Sequence, residues 1–278
     1  MEELSSNYDL VIEAGRSRKN YWRDLMRFRE LFWFLAWRDF LVRYKQTAIG
    51  LAWSLIRPLL TMIVFTIIFG RLAKLPDEGV PYAILVYAAM LPWQFFATSF
   101  SDASLSLINN SNMITKVYFP RLIFPVSTVL VNFIDFIISF IILIGLMIFY
   151  QFIPSWKILF LPIFLLMSFI TAMGAGFYVA AVNVKYRDFK YIVPFIIQFG
   201  LYISPVGFSS SVVPEKWRLI YSLNPMVGVI DGFRWSILGG DYQIYWPGFC
   251  ISIVLIVFLF SFGILSFRKL EKSFADII

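Results

Sequence analysis

The sequence predicts an all-α integral membrane protein. It should have six transmembrane helices, an N-terminal amphipathic interface helix, and short re-entrant or capping helices between spans five and six. Of its 278 residues, 60% are hydrophobic and 15% charged, whereas about a quarter of a soluble domain is charged. Several windows hold more than ~18 nearly uncharged apolar residues, the length that crosses a bilayer core. A compact soluble globule could not cover this much apolar surface.

The hydropathy pattern divides the chain into four parts. We expect a cytoplasmic N-terminal segment (1–30), an amphipathic interface helix (31–47), a six-span domain (48–267) and a cytoplasmic tail (268–278). The spans are predicted at about 48–70, 82–101, 124–149, 158–182, 191–208 and 246–267. Most of the 24 Lys and Arg residues then fall on the side of both termini. Since cytoplasmic loops are enriched in Lys and Arg, both termini are expected in the cytoplasm. The polar first 30 residues predict no cleavable signal peptide.

The interface helix is predicted from "RELFWFLAWRDFLVRYKQ". Its aromatic and apolar residues recur at helical spacing, and its cations fall mostly on the other side. Such a helix would place its aromatic rings at the headgroup boundary, or it would be a plain anchor.

Residues 209–245 are too apolar for a free loop and too often interrupted by Pro and Gly to span the membrane. We therefore expect short helices that dip into the outer leaflet, cap a channel or form a packed lid.

The sequence also argues against chemistry on this chain. It has one cysteine, Cys250, and no histidine, so an intramolecular disulfide, a common zinc site and the usual general base are excluded. It has no glycine-rich phosphate-binding loop. We therefore expect no catalytic residue, no metal ligand and no cofactor on this chain.

Two intramembrane patterns stand out. Thr128, Asn132, Asp135 and Ser139 share one face of span three, and a buried acid needs a cavity or a partner. The stripe would be a hydrated pathway wall, an interhelical hydrogen-bond staple or, less simply, a proton relay. In span four, Ala172, Gly176 and Ala180 lie four residues apart, which predicts close helix packing.

Two turns on the predicted cytoplasmic side mix cations with aromatic residues. They are "NNSNMITKVYFPR" (109–121) and "NVKYRDFKY" (183–191). Aromatic side chains beside Arg are typical of protein docking sites, although aromatic residues are also common at membrane interfaces.

Three stretches carry a resemblance to a known family: "RYKQTAIGLAWSLIRP" (43–58), "NVKYRDF" (183–189) and "LNPM" (223–226). They resemble the permease subunits of ABC exporters for cell-surface polysaccharides, the class that exports O-antigen, capsule and teichoic acid. The resemblance covers nearly the whole chain in the same order.

The resemblance implies a homodimeric permease in the bacterial plasma (inner) membrane. Two separate ATPase subunits would carry ATP and Mg, and the exporter would move a lipid-linked glycan outward. The second turn would be the ATPase-coupling helix. The implied coupling residues, with those of the first turn, are Asn183, Lys185, Tyr186, Arg187, Asp188, Phe189, Lys116 and Tyr118.

The cations around the first span suggest a cytoplasmic mouth for the substrate. Arg38, Arg43, Lys45 and Arg57 could form charge-assisted hydrogen bonds with the diphosphate of a polyprenyl carrier. Alternatively, Arg57 simply reaches the cytoplasmic surface. The other functions that we considered are export of another lipid or a drug, proton-coupled transport through Asp135, and a membrane transferase.

Overall fold

The computed structural model describes residues 18–45, 50–116, 119–186, 188–240, 242–271 and 274. Within these ranges the chain is helical and contains no strand. Its α-helices are α1 (Arg18–Arg27), α2 (Arg29–Lys45), α3 (Gly50–Phe65), α4 (Tyr82–Asn109), α5 (Ser111–Ile114), α6 (Ile123–Phe149), α7 (Leu161–Lys185), α8 (Phe189–Ile203), α9 (Glu215–Tyr221), α10 (Pro225–Leu238) and α11 (Trp246–Leu270). A π-helical turn, Thr66–Leu72, extends α3, and a 3₁₀ turn, Trp156–Phe160, precedes α7.

Five helical stretches in the described ranges are long and apolar enough to cross a membrane. They are Leu55–Leu72, Tyr82–Asn109, Ile123–Phe149, Trp156–Lys185 and Trp246–Leu270. Their ends lie within a few residues of the predicted ones with two exceptions. The first stretch begins at Leu55 rather than at 48, and α4 runs on to Asn109. The structure thus confirms an all-helical, multi-pass membrane protein.

The fifth predicted span, 191–208, differs from the structure. α8 has 15 residues and ends at Ile203, so it is about 22 Å long at 1.5 Å per residue. The chain leaves helical geometry at Ser204, where the backbone is extended. α8 is therefore shorter than the other five apolar stretches.

α4 is the central helix of the bundle. In its most apolar stretch, 89% of the residues are buried, against 17% in Leu55–Leu72. α7 packs closely on α4 because a Cβ at Gly176 would lie 2.7 Å from the Cβ of Ala103. Ala172 and Ala180 are fully buried on the same stripe of α7. The prediction of close packing by these small residues is confirmed.

The segment between α8 and α11 folds into the short helices that the sequence predicted. α9 has seven residues and α10 has fourteen. Asn224 caps α10, since its side-chain oxygen accepts a hydrogen bond from Met226 N at 3.0 Å. Pro225 occupies the first turn, and Gly239, at φ +62°, ends the helix.

The bundle has two distinct ends. We call one of them the α2 end. There, Arg38 of α2 donates to Asn110 at the end of α4. Glu271, at the end of α11, accepts from the backbone of Arg121 in the turn that precedes α6, which we call the 121 turn. At the other, the α10 end, α4 contacts the segment after α8, with Tyr82 donating to Gly207 O at 2.7 Å. The predicted docking turns, as far as they are described, lie at the α2 end.

Candidate functional site

An ion-pair network joins α2 to α4 and α6. Arg43 Nη2 lies 2.6 Å from Asp102 Oδ2, and its Nη1 lies 2.8 Å from Asp135 Oδ2. The same Nη1 donates to Asn132 Oδ1 at 2.7 Å. Tyr44 donates to the other oxygen of Asp135. One turn of α2 therefore holds two carboxylates from two different helices.

The network accounts for part of the polar stripe of α6. Asn132 is buried and also donates to Ser99 Oγ of α4 at 3.4 Å. Ser139 is buried one turn beyond Asp135, and Thr128 donates to Pro125 O of its own helix. In this structure Asn132 and Asp135 contact α2 and α4; passage of a glycan along the stripe stays a prediction.

The four cations of the predicted mouth fall into two pairs. Arg38 donates to Asp39 at 2.7 Å and to Asn110 at 2.7 Å, so it is engaged within the protein, as is Arg43. Lys45 and Arg57 are exposed. Among the described residues, Lys45 and Arg57 have no ion-pair partner, whereas Arg38 and Arg43 each contact a carboxylate.

The 183–191 turn presents several of its predicted residues at the surface. Tyr186 is 52% exposed, and Lys185 and Asp188 are exposed as well. Phe189 is half-buried against a small cluster formed by Phe100, Val179 and Val193. Arg187 lies outside the described residues.

Two members of the predicted turns are buried. Asn183 is fully buried, and its side chain donates to Ser104 O of α4 at 3.1 Å. It therefore joins α7 to α4, and a partner could not touch it in this structure. Phe119, an aromatic residue of the first turn, is buried against Phe124 with ring centroids 5.2 Å apart. Lys116 is exposed, and Tyr118 lies outside the described residues.

A second contact at the α2 end fixes α1 and the 121 turn to the end of α11. Glu271 Oε1 accepts hydrogen bonds from Tyr21 OH at 3.2 Å and from Arg121 N at 3.1 Å. Burial raises the pKa of the Glu271 carboxyl above its usual range, although Arg121 and Arg268 oppose this. Arg268 stacks over the Tyr21 ring at 4.3 Å.

Sequence reasoning missed the most buried charge of the α10 end. Arg234 belongs to the segment 209–245, for which the sequence predicted only short helices, and it is fully buried in α10. Its guanidinium donates to Leu85 O at 3.1 Å, Phe208 O at 2.7 Å and Val206 O at 3.1 Å. The signal available in the sequence was Asp231 and Arg234 within an otherwise apolar 14-residue helix.

Three aromatic residues of α4 belong to the core of the bundle. Tyr87, Trp93 and Phe95 are buried. α8, by contrast, has an exposed stripe at helical spacing, formed by Tyr191, Phe195, Phe199 and Tyr202. Phe195 and Phe199 stack with ring centroids 5.8 Å apart. We call these four side chains the α8 stripe.

Comparison with known proteins gives one consistent result. The ABC-2 type transporter family model matches residues 30–238. The chain is 29% identical over 248 residues to an O-antigen export system permease protein, RfbA, of Klebsiella pneumoniae, with 87% of this chain and 92% of the relative covered. It is 25% identical to RfbA of Myxococcus xanthus, covering 92% and 98%. The inner membrane transport permease YadH of Escherichia coli (strain K12) is 22% identical, covering 79% and 88%.

Proposed function

The chain belongs to the ABC-2 type transporter family, and we propose that it is the membrane subunit of an exporter that moves a lipid-linked polysaccharide outward across the bacterial inner membrane. As a transport subunit of this family, it is not itself a catalytic enzyme. The observation that carries the proposal is the end-to-end similarity to proteins named for O-antigen export.

The α8 stripe supports a sugar polymer as the substrate. Aromatic rings carry a negative face, against which the CH groups of a sugar ring can pack. The four exposed rings follow one face of α8 over about three turns, so successive sugars could meet successive rings. Such stacking does not depend on a particular sugar sequence.

Lys45 and Arg57 support a carrier bearing a diphosphate. Lys45 ends α2 and Arg57 lies within α3, and both are exposed. A diphosphate near two cations would form charge-assisted hydrogen bonds. Arg38 and Arg43, which are engaged within the protein, are assigned to holding α2 in place.

The ATP-binding partner follows from the family, and its docking site from the surface of the 183–191 turn. We assign the contact to Lys185, Tyr186 and Asp188, with Lys116 of the first turn beside them. The complex would hold two copies of this chain and two ATPase subunits, which bind ATP and Mg. Both termini would be cytoplasmic, and α8 with the folded segment after it would act as the fifth of six spans.

Co-expression with an ATPase subunit tests the proposal. The parent complex should export a lipid-linked glycan into inverted membrane vesicles only when ATP is present. Vesicles that accumulate no lipid-linked glycan while they move another lipid or a drug would contradict the assigned substrate.

The docking site is tested by Tyr186→Ala, with Tyr150→Ala as the matched control. Tyr150 is also exposed, at 42%, but it ends α6 at the α10 end. We expect Tyr186→Ala to lower co-purification of the ATPase by about tenfold, as for an aromatic anchor of an interface. Equal retention of the ATPase by both variants would move the docking site elsewhere.

A further inference from the structure

The ion-pair network of Arg43, Asp102 and Asp135 is only partly buried, unlike a contact sealed inside the core. Its side chains keep 35%, 31% and 25% of their surface exposed, respectively. Part of each side chain therefore lies outside the packed interior of this chain. Ionic groups that separate at such a position can be resolvated, which a fully buried pair cannot.

The network also carries one more negative than positive charge. Asp102 and Asp135 contact the two terminal nitrogens of the same guanidinium. Without Arg43 the two carboxylates would face each other, and their repulsion would favour its return. A contact of this kind holds α2 firmly, yet it re-forms without any other partner.

The apolar stretch that follows α2 is the least buried of the five candidate spans within this chain. Only 17% of Leu55–Leu72 is buried, and Pro58 interrupts the backbone hydrogen bonding of α3 near its middle. The other end of the stretch is the π-helical turn Thr66–Leu72, a geometry frequent at functional sites. Near its middle, α2 contacts the bundle through the buried Leu35 and Ala36 and through Arg38, which donates to α4. At its C-terminal end it is held by the Arg43 network.

We propose that Arg43 is a positioning residue whose ion pairs with Asp102 and Asp135 break and re-form in each transport cycle, releasing the C-terminal end of α2 from α4 and α6. We call these three residues the α2 latch. Its opening would carry Lys45 and the start of α3 away from the bundle and widen the mouth between them. The inference rests on the proposed transport function but concerns motion rather than substrate.

A reversible cross-link tests the latch directly. In a Cys250→Ser background, Arg43→Cys with Asp135→Cys removes one charge of each sign, so the net charge of the latch is unchanged. A short, reducible bis-methanethiosulfonate reagent would then fasten α2 to α6 in the complete complex with its ATPase. The variants with either cysteine alone, treated with the same reagent, are the matched controls.

We expect the cross-link to lower export in vesicles by about tenfold or more, because a motion required in every cycle limits turnover. Reduction should restore the rate, and the single-cysteine controls should not respond to the reagent. Export at an equal rate before and after cross-linking would show that α2 need not separate from α6 during transport and would overturn the proposal.

Two further measurements keep the test decisive. If the first pair fails to assemble, Arg38→Cys with Asn110→Cys joins α2 to the end of α4, where the parent side chains lie 2.7 Å apart. If no lipid-linked glycan is exported by the parent complex, the proposed function fails. Opening of the latch is then tested by the rate of ATP hydrolysis. The cross-link should lower this rate, and reduction of the cross-link should restore it. An unchanged rate of ATP hydrolysis would overturn the proposal.

Discussion

Two arginines fasten the two ends of the molecule in opposite ways. At the α10 end, Arg234 is fully buried and donates to three backbone carbonyls. At the α2 end, Arg43 is partly exposed and contacts two carboxylates. Carbonyl oxygens fixed in the backbone cannot turn to water when the arginine leaves, whereas exposed carboxylates can. The Arg234 contact is therefore expected to stay closed, whereas the Arg43 contact is the one that we propose can open.

The largest expected effect is at Arg234. Arg234→Lys offers a shorter point charge that cannot reach three carbonyls, so at least one buried acceptor is left without a donor. We expect the free energy of unfolding in detergent to fall by about 3 kcal/mol or more, measured by tryptophan fluorescence during denaturation. Lys216→Met, which removes an exposed cation at the same end, should stay within about 0.5 kcal/mol. A small loss for Arg234→Lys would end the contrast between the two arginines.

The next effect concerns the bundle that joins the two ends. A Cβ at Gly263 would lie 2.1 Å from Gly174 O, so Gly263→Ala must push α11 away from α7. We expect a loss of about 2–3 kcal/mol by the same measurement. Gly145→Ala is the matched control, since no atom lies within 4 Å of its added Cβ. Its effect should be neutral or stabilising, because alanine favours the helix by up to about 1 kcal/mol. If both variants behave alike, the two ends are not joined by a rigid bundle.

A smaller effect is expected at Asp135. Asp135→Asn removes one of two negative charges and keeps an oxygen that can accept from Tyr44 or Arg43. We expect a loss of about 1 kcal/mol, because the pair is partly exposed and Asp102 still balances Arg43. A double-mutant cycle with Arg43→Gln should return a coupling energy of similar size, and Arg29→Gln, an exposed cation of the same helix, should show none. A loss equal to that of Arg234→Lys would mean that the latch is a permanent fastening.

The smallest effect concerns Glu271, which lies at the α2 end but outside the latch. Its raised pKa means that the folded protein binds the proton more tightly than the unfolded chain does. The stabilisation is complete below the ordinary carboxyl pKa and is lost as the pH rises through the folded pKa. Glu271→Gln keeps the acceptor for Tyr21 and Arg121 without the proton, so it should equal the parent in stability at low pH. At higher pH it should be more stable than the parent by up to about 1 kcal/mol. Melting curves across the pH range measure the difference, and a parent that gains stability over the variant as the pH rises would reverse the assigned direction.

Hydropathy predicted most of the fold because long apolar runs have few alternatives in a membrane. The start of α4 at Tyr82 and the whole of α6 follow from local composition. The early end of α8 did not, because the residues after Ile203 remain apolar while Arg234, more than 25 positions later, binds their carbonyls. That contact is set by tertiary packing, which a window of sequence does not contain.

The sequence identified individual residues of the candidate site but not which of them contact each other. Arg43 and Asp135 were both singled out, one as a substrate contact and the other as a stripe residue. They are 92 positions apart, and periodicity assigns each to a face of its own helix without naming its partner. Asn183 shows the same limit, since a polar residue beside a charged turn reads as exposed until α4 is packed against it.

The shortness of α8 has a consequence for the surrounding lipid. At about 22 Å it falls roughly 8 Å below the thickness of a bilayer's hydrocarbon core. Such hydrophobic mismatch is relieved when the bilayer thins or when other protein fills the gap. Here the segment after α8 can occupy the space beyond the end of the helix. Arg234 of α10 binds the carbonyl oxygens of Val206 and Phe208 in that segment. If α8 is the fifth span, as proposed, the apolar barrier beside it would be formed partly by lipid and partly by protein, and its hydrocarbon layer would be thinner there than around the longer helices.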